Sequence, residues 1–237
     1  MSMKKRTVLV SGASSGIGRA IAEKLLNQGH HVIGICRDSG QFQHPLPNFT
    51  GMELDFSRLA DIPSFAKQLQ QAVPELDSVI FAAGYGQFGH LEQFSYQQIE
   101  NLLTVNFTAQ VFLTRALLPK LKQKPQSNLI YIGSEAALKG SRNGTIYCAT
   151  KFALRGFSQA LRDECGKSTV RVSLINPGMV DTGFFDTLDF RPGQQAWQAL
   201  QADDIADAAS YILQAGVHCV IDEINLNPPN RVIEFKK

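Results

Sequence analysis

Short runs of β-branched and apolar residues alternate along this chain with longer stretches in which apolar positions recur every three or four residues. The short runs fall at residues 7–10, 31–36, 51–54, 78–82, 128–133 and 170–176, and their mainly apolar, β-branched character predicts buried parallel strands. The longer stretches, 16–28, 57–73, 95–122, 145–165 and 203–213, predict helices, the last opening on Asp203 and Asp204, which suit the positive end of a helix. Strand and helix in regular alternation imply right-handed crossovers, hence an α/β fold with a doubly wound parallel sheet and helices on both faces. The link 37–50 carries Pro45 and Pro47 and is expected to cross as a loop. Patterning lapses over 178–201, where Phe184, Phe185, Leu188, Phe190 and Trp197 sit among glycines and prolines. That stretch reads either as a lid over a pocket or as a pair of surface helices packing the aromatics inward. With no repeat or linker, residues 1–237 are read as one domain.

Composition narrows the partners. The chain has 237 residues, 44% of them hydrophobic, enough for a substantial core. Its 23 basic and 21 acidic side chains leave a formal charge of +2 with no long basic run, so nucleic acid is not expected as a partner. No apolar stretch approaches the roughly 18 residues of a membrane span, and Lys4-Lys5-Arg6 leads only into the short run 7–10, so no membrane association and a cytoplasmic location are expected. Cys36, Cys148, Cys165 and Cys219 lack the spacing of a zinc or redox motif and are expected as reduced, buried thiols. The five histidines show neither ligand spacing nor a triad arrangement, so no metal is expected.

The first strand runs directly into Ser11-Gly12-Ala13-Ser14-Ser15-Gly16-Ile17-Gly18, which opens the first helix. In that setting Gly12 suits a tight turn, Gly16 the approach of backbone to a pyrophosphate, and Gly18 close helix-to-sheet packing, while Ser14 and Ser15 offer hydroxyls and amides at a positive helix end. At the end of the second strand Arg37 lies where an adenine ribose would sit, and its guanidinium favours the 2′-phosphate of NADP(H); the adjacent Asp38 would favour NAD(H), which stays possible. Asp55, ending the third strand, is placed to accept from an adenine amino group or to cap the segment that follows. Tyr147 and Lys151, four apart, would lie on one helix face with Cβ atoms about 5–6 Å apart, near enough for the ammonium to favour the phenolate. Moving a phenol from near 10 to about 7 takes roughly 4 kcal/mol of differential stabilisation, much of which a nearby ammonium can supply.

With these residues in view the chain resembles the short-chain dehydrogenase/reductase family from about residue 7 to residue 182. Ser11 to Gly18 match its Thr-Gly-x-x-x-Gly-x-Gly loop with Ser11 in place of Thr, and Asn106, Ser134, Tyr147 and Lys151 fall on its catalytic tetrad. Residues 176–182 resemble its nicotinamide-holding segment, with Pro177, Gly178, Val180 and Thr182 in cofactor positions and Ile17, Ala83 and Gly84 elsewhere along the dinucleotide. The resemblance implies a Rossmann-type sheet of about seven strands in order 3-2-1-4-5-6-7 and hydride exchange between NADP(H) and a small-molecule carbonyl or alcohol. In it Ser134 bonds the substrate oxygen, Tyr147 exchanges the proton, Lys151 lowers the Tyr147 pKa and binds the nicotinamide ribose, and Asn106 keeps a water-linked proton path. It also implies a homodimer or homotetramer through the helices at 95–122 and 145–165. Two departures stand out. Phe81-Ala82-Ala83-Gly84 replaces the usual Asn-Asn-Ala-Gly, removing amides that stiffen the sheet, and the C-terminal region resembles the shorter seventh strand of a subset that includes NADP-dependent reductases and 3-hydroxy acid dehydrogenases. The first departure supports a rival reading, a non-catalytic dinucleotide sensor or scaffold of the same fold.

Overall fold

A computed structural model describes residues 5–38, 40, 44–216 and 218–236. Its centre is a seven-stranded sheet built from β1 (Thr7–Ser11), β2 (His31–Cys36), β3 (Phe49–Glu53), β4 (Ser78–Phe81), β5 (Ser127–Ile132), β6 (Val170–Pro177) and β8 (Glu223–Leu226), in the order β3-β2-β1-β4-β5-β6-β8. All six pairings are parallel. Successive side chains of a strand point to opposite faces, and here both faces are apolar. Leu9, Val79, Phe81, Leu129, Tyr131, Val172 and Leu174 pack beneath α2 (Ile62–Ala72), α4 (Ala109–Leu121) and α5 (Thr145–Cys165). Val8, Val10, Ile80, Ile130, Ile132 and Ile175 pack against α1 (Gly16–Asn27) and α6 (Ala202–Gln214). Burial on both faces is why the central strands read as mainly apolar runs, while the edge strand β3 is largely exposed.

The expected architecture and order are found, with three local differences. The strand expected seventh is eighth in chain order, because Phe190–Pro192 forms a short strand, β7, that pairs antiparallel with β9 (Ile233–Phe235). These strands are three residues each, too short to show a period. The helix expected over 57–73 begins at Ile62, after a 3₁₀ turn at Leu59–Asp61, because Pro63 fits only the first turn of a helix. The stretch 95–122 is three pieces: α3 (Tyr96–Leu103), a π-helical turn (Thr104–Thr108) and α4. Single π turns inside helices re-aim side chains and recur at functional sites. Cys36, Cys148 and Cys165 are buried as expected, whereas Cys219 is exposed.

Strand order reverses between β1 and β4, so the loops leaving their C-terminal ends part and open a crevice there. Gly12 turns away at the mouth of this crevice with φ +69°, and a Cβ on it would lie 2.9 Å from the Cα of Ala83. No helix among the described residues is long and apolar enough to cross a membrane.

Candidate active site

The glycine loop is built as a backbone surface. Gly12 and Gly16 both adopt positive φ, +69° and +50°, a region open to glycine at little cost. A Cβ on Gly18 would run into the carbonyl of Gly12, so the start of α1 can sit against the turn only with glycine there. Ser15 is the N-cap of α1 but makes no side-chain cap hydrogen bond, which leaves the first amides of the helix without a side-chain partner. Ser14 is half-buried, Ser15 exposed, and Ile17 packs partly into the core. Opposite the loop stands Thr182, whose Cβ lies 3.6 Å from where a Gly16 side chain would begin. Amides that face outward at a helix N-terminus are the chemistry an anionic pyrophosphate requires.

At the far end of the crevice Arg37 is exposed just beyond β2 and pairs with no acid among the described residues. Asp38 is occupied locally, its Oδ1 accepting from the Gly40 amide at 2.9 Å. Asp55 accepts through Oδ1 from the amide and hydroxyl of Ser57 at 2.9 and 2.8 Å, so the capping alternative describes one of its two oxygens.

Tyr147, Ser134 and Lys151 come together where β5 and α5 meet. Ser134 follows β5, its Oγ accepting from the Ala136 amide at 3.1 Å and lying close enough to the Tyr147 phenol to act on its pKa. Lys151 donates to the Ile132 carbonyl at 3.0 Å, and its Nζ stands 5.8 Å from the Tyr147 ring centroid. The expected acidification of Tyr147 is not found in this arrangement. Burial pushes the phenol up to about 12, against a smaller opposing effect of the Ser134 hydroxyl. Burial also pulls Lys151 down to about 8. The ammonium is directed at a carbonyl and is itself only partly charged near pH 8, so desolvation of the phenol prevails.

Asn106 sits apart from this trio in its bonding. It is fully buried in the π turn, its Oδ1 accepting from the Tyr85 amide at 3.0 Å and its Nδ2 donating to the Tyr85 carbonyl at 2.9 Å. Both amide atoms therefore clamp the loop that follows β4, and a Cβ on Gly84 would stand 3.1 Å from the same Oδ1. This loop was expected to suffer from the loss of two asparagines, yet it is tied in by other residues. Ser11 Oγ accepts from the amides of Ala82 and Ala83, each at 3.1 Å. Gln110 donates to the carbonyls of Ala83 at 3.2 Å and Asn106 at 2.9 Å. Phe81 stacks on Tyr131 with 4.8 Å between centroids, and the Tyr131 hydroxyl meets Thr114 at 2.7 Å.

Asn176, Glu223 and Phe88 also belong to the site, and their side-chain contacts leave no trace in the sequence. Asn176, 1% exposed at the end of β6, accepts from the Ser134 amide at 3.3 Å and donates to Glu223 at 2.6 Å and Asn225 at 2.9 Å. Glu223 in turn pairs with Arg155 of α5 at 3.1 Å. Phe88 lays its ring 5.0 Å from that of Tyr147. Truncating Asn176→Ala strands the Ser134 amide and a buried acceptor of Glu223. We expect it to lower stability by about 2 kcal/mol in urea denaturation and to reduce turnover through Ser134 without weakening dinucleotide binding.

The segment from Pro177 onward closes one side. Gly178 donates to the Leu226 carbonyl at 2.7 Å. Val180 is 5% exposed and bridges to Leu200. Thr182 accepts from the Phe184 amide at 3.3 Å. Phe184, 6.0 Å from the Tyr147 ring, leads into Phe185 and Phe190. These aromatics pack inward, while Trp197 is 54% exposed. No group of His, Cys, Asp or Glu among the described residues is arranged to hold a metal ion.

A sequence profile described as short chain dehydrogenase matches residues 6–191. Over 230 residues, 95% of this chain and 98% of the relative, the sequence is 28% identical to an uncharacterized oxidoreductase of Staphylococcus epidermidis. The structure is similar to that of an alcohol dehydrogenase from the archaeon Thermococcus sibiricus complexed with 5-hydroxy-NADP, with a TM-score of 0.87 at 26% identity over 98% of this chain and 100% of that one. It is also similar to the closed form of a serine dehydrogenase complexed with NADP+, with a TM-score of 0.82 at 26% identity over 92% and 93% of the two chains.

Proposed function

We propose, from the premise that this chain belongs to the short-chain dehydrogenase/reductase family of oxidoreductases, that it exchanges hydride between NADP(H) and a small carbonyl or secondary alcohol, with Tyr147 as the acid and base. The observation that carries this reading is the meeting of Tyr147, Ser134 and Lys151 beside a glycine loop whose uncapped helix amides suit a pyrophosphate. Gly12, Ser14, Ser15, Gly16, Ile17 and Gly18 would hold the diphosphate, Arg37 and Asp55 the adenosine end, Ala83 and Gly84 the backbone beside its ribose, and Pro177, Gly178, Val180 and Thr182 the nicotinamide. When bound, the nicotinamide supplies or takes up the hydride.

The chain's own part is the proton. A phenol at about 12 is fully protonated at neutral pH, the state a donor to a carbonyl oxygen needs, so the resting site is set for reduction. Ser134, beside the phenol, marks with it the point where that oxygen would sit. Lys151 holds the floor of the site at the Ile132 carbonyl. The half-buried rings of Phe88 and Phe184 beside Tyr147 limit the access of water to the transferred proton. In this reading residues 178–201 serve as the substrate lid of a single domain, and Phe112 on α4 and Phe152 on α5, both exposed, belong to faces that pair in a homodimer or homotetramer. The rival sensor or scaffold reading loses its main support, since Ser11 and Gln110 secure the loop that the replaced asparagines would have stiffened.

Two experiments test this. NADPH mixed with a panel of aldehydes, ketones and keto acids should be consumed, and consumption should depend on Tyr147. For the cofactor, Arg37→Ala should weaken NADPH binding about 10- to 100-fold, the scale of a charged hydrogen bond, and leave NADH nearly unchanged. Fluorescence titration reads both, and unchanged NADPH affinity would remove the role given to Arg37.

A further inference from the structure

The C-terminal strand reaches back to the chemistry. β9 pairs with β7, bringing Phe235, Glu234 and Ile233 opposite Phe190, Arg191 and Pro192. The pairing is reinforced on both flanks, by Gly193 donating to the Val232 carbonyl at 3.0 Å and by the Lys236 amide donating to the Asp189 carbonyl at 2.7 Å. Beyond it, the Lys236 ammonium donates to the carbonyls of Phe185 at 2.5 Å and Asp186 at 3.1 Å. Those carbonyls end the short 3₁₀ turn Gly183–Phe185, where a cation satisfies acceptors that the turn leaves open. Phe184, on this turn, packs 6.0 Å from the Tyr147 ring, and Phe88 bridges Tyr147 and Phe190 with 5.0 Å to each. Gly86 makes room for this arrangement, since a Cβ there would strike both Phe184 and Phe88.

The charges bordering this aromatic wall are engaged. Glu135, next to Ser134, pairs with Arg231 at 3.5 Å, Arg191 with Glu234 at 3.4 Å, and Lys151 donates to Ile132. A substrate carboxylate would have to compete with a partner already in place for each of these cations. Lys236 and Lys151 are bonded to carbonyls, and the exposed Arg142 pairs with no acid among the described residues.

We propose that Lys236 is a positioning residue of the substrate site: by tying the C-terminal strand to the turn at Phe185 it holds Phe184 and Phe88 over Tyr147, and the wall so formed selects an uncharged carbonyl with an aryl or alkyl flank over a keto acid. The substrate half of this rests on the carbonyl-reduction reading above; the tie itself does not.

Full-length wild type, Lys236→Ala, Lys236→Arg and Phe88→Ala, assayed with NADPH on acetophenone and on pyruvate, separate the two. Wild type should favour acetophenone. Lys236→Ala should raise the KM for acetophenone about tenfold, the loss of one charged hydrogen bond, change pyruvate much less, leave NADPH affinity in place, and lower the melting temperature by only a few degrees. Lys236→Arg should restore the preference, and Phe88→Ala should erode it. An unchanged ratio in Lys236→Ala, or a wild-type preference for pyruvate that Arg142→Ala abolishes, would overturn the proposal. Calorimetric binding of acetophenone in the presence of NADP+, which has no hydride to give, provides a readout without turnover. If wild type reduces no carbonyl, the hydride-transfer reading has failed; about tenfold weaker binding to Lys236→Ala would still support the tie, whereas equal binding, or none to wild type, would overturn it.

Discussion

Tyr147→Phe is expected to reduce carbonyl turnover by about 10²- to 10⁴-fold, the usual contribution of a positioned proton donor, while NADPH binds as before. The change is unusually clean at this position. The ring lies between Phe88 and Phe184, at 5.0 and 6.0 Å, so phenylalanine keeps the same packing and leaves no cavity. The hydroxyl is buried beside Ser134, which retains its own bond to the Ala136 amide at 3.1 Å, so at most one hydrogen bond is lost. Stability should therefore stay within about 1 kcal/mol of wild type, the net worth of one such bond, and the kinetic loss cannot be ascribed to unfolding. Because burial holds the phenol at about 12, reduction by wild type should show no decline from loss of the Tyr147 proton between pH 7 and about 10. Steady-state assays across the aldehyde and ketone panel, paired with NADPH titration, measure both arms. Equal turnover by the two proteins would reject Tyr147 as the donor.

Much of the architecture was legible because parallel strands buried on both faces leave an unmistakable trace. Residues 32–36 carry no polar side chain other than a thiol and 170–176 stay mainly apolar despite Arg171 and Ser173, since Ile33 and Leu174 face one helical layer while Val32 and Ile175 face the other. The pattern fails where length or burial is insufficient to create a period. The strand Phe190–Pro192 has three residues, one of them an exposed arginine and another a proline, and its partner Ile233–Phe235 is distant in sequence. The π turn at Thr104–Thr108 is equally silent, because inserting one residue into a helix shifts the apolar stripe by less than the width of the stripe itself.

The positions of Ser134, Tyr147 and Lys151 could be anticipated because their spacing and motif context are local. What holds them could not. Asn176 reads as the opening of an Asn-Pro-Gly turn, yet its side chain joins β5, β6 and β8 under the Ser134 amide. Ser11 and Gln110, which take over from the missing asparagines, are 99 residues apart and converge on Ala82 and Ala83 only through the parallel register of β1 and β4. Direction of the pKa shifts was also hidden. A Tyr-x-x-x-Lys spacing brings opposite tendencies together, Coulomb attraction and desolvation, and the balance depends on burial, which leaves Tyr147 8% and Lys151 6% exposed.

That burial makes Lys151 a cost to the fold. The unfolded chain carries a lysine that titrates near 10.5, whereas the buried one titrates at about 8. Below pH 8 both states hold the proton and the native state bears the full penalty of a desolvated charge, about 3 kcal/mol. Between pH 8 and 10.5 the native protein has released a proton that the unfolded chain still binds, so this penalty lifts and stability rises with pH. In Lys151→Met the stem remains and the charge is gone, so this rise should vanish. Relative to the variant, wild type should gain up to about 3 kcal/mol between pH 7 and 10.5 in urea denaturation. The opposite trend from Tyr147, whose phenol is retained by the native state from about pH 10 to 12, is common to both proteins and cancels in the difference. At pH 7 itself the variant also strands the Ile132 carbonyl, at about 1 to 3 kcal/mol, so the sign there depends on two opposed terms and the pH slope is the decisive readout. Turnover should fall with the variant while the slope disappears. A difference that stays constant with pH would mean that Lys151 is not held as a desolvated ammonium. Retaining a charge at the expense of stability is intelligible where that charge serves chemistry rather than packing.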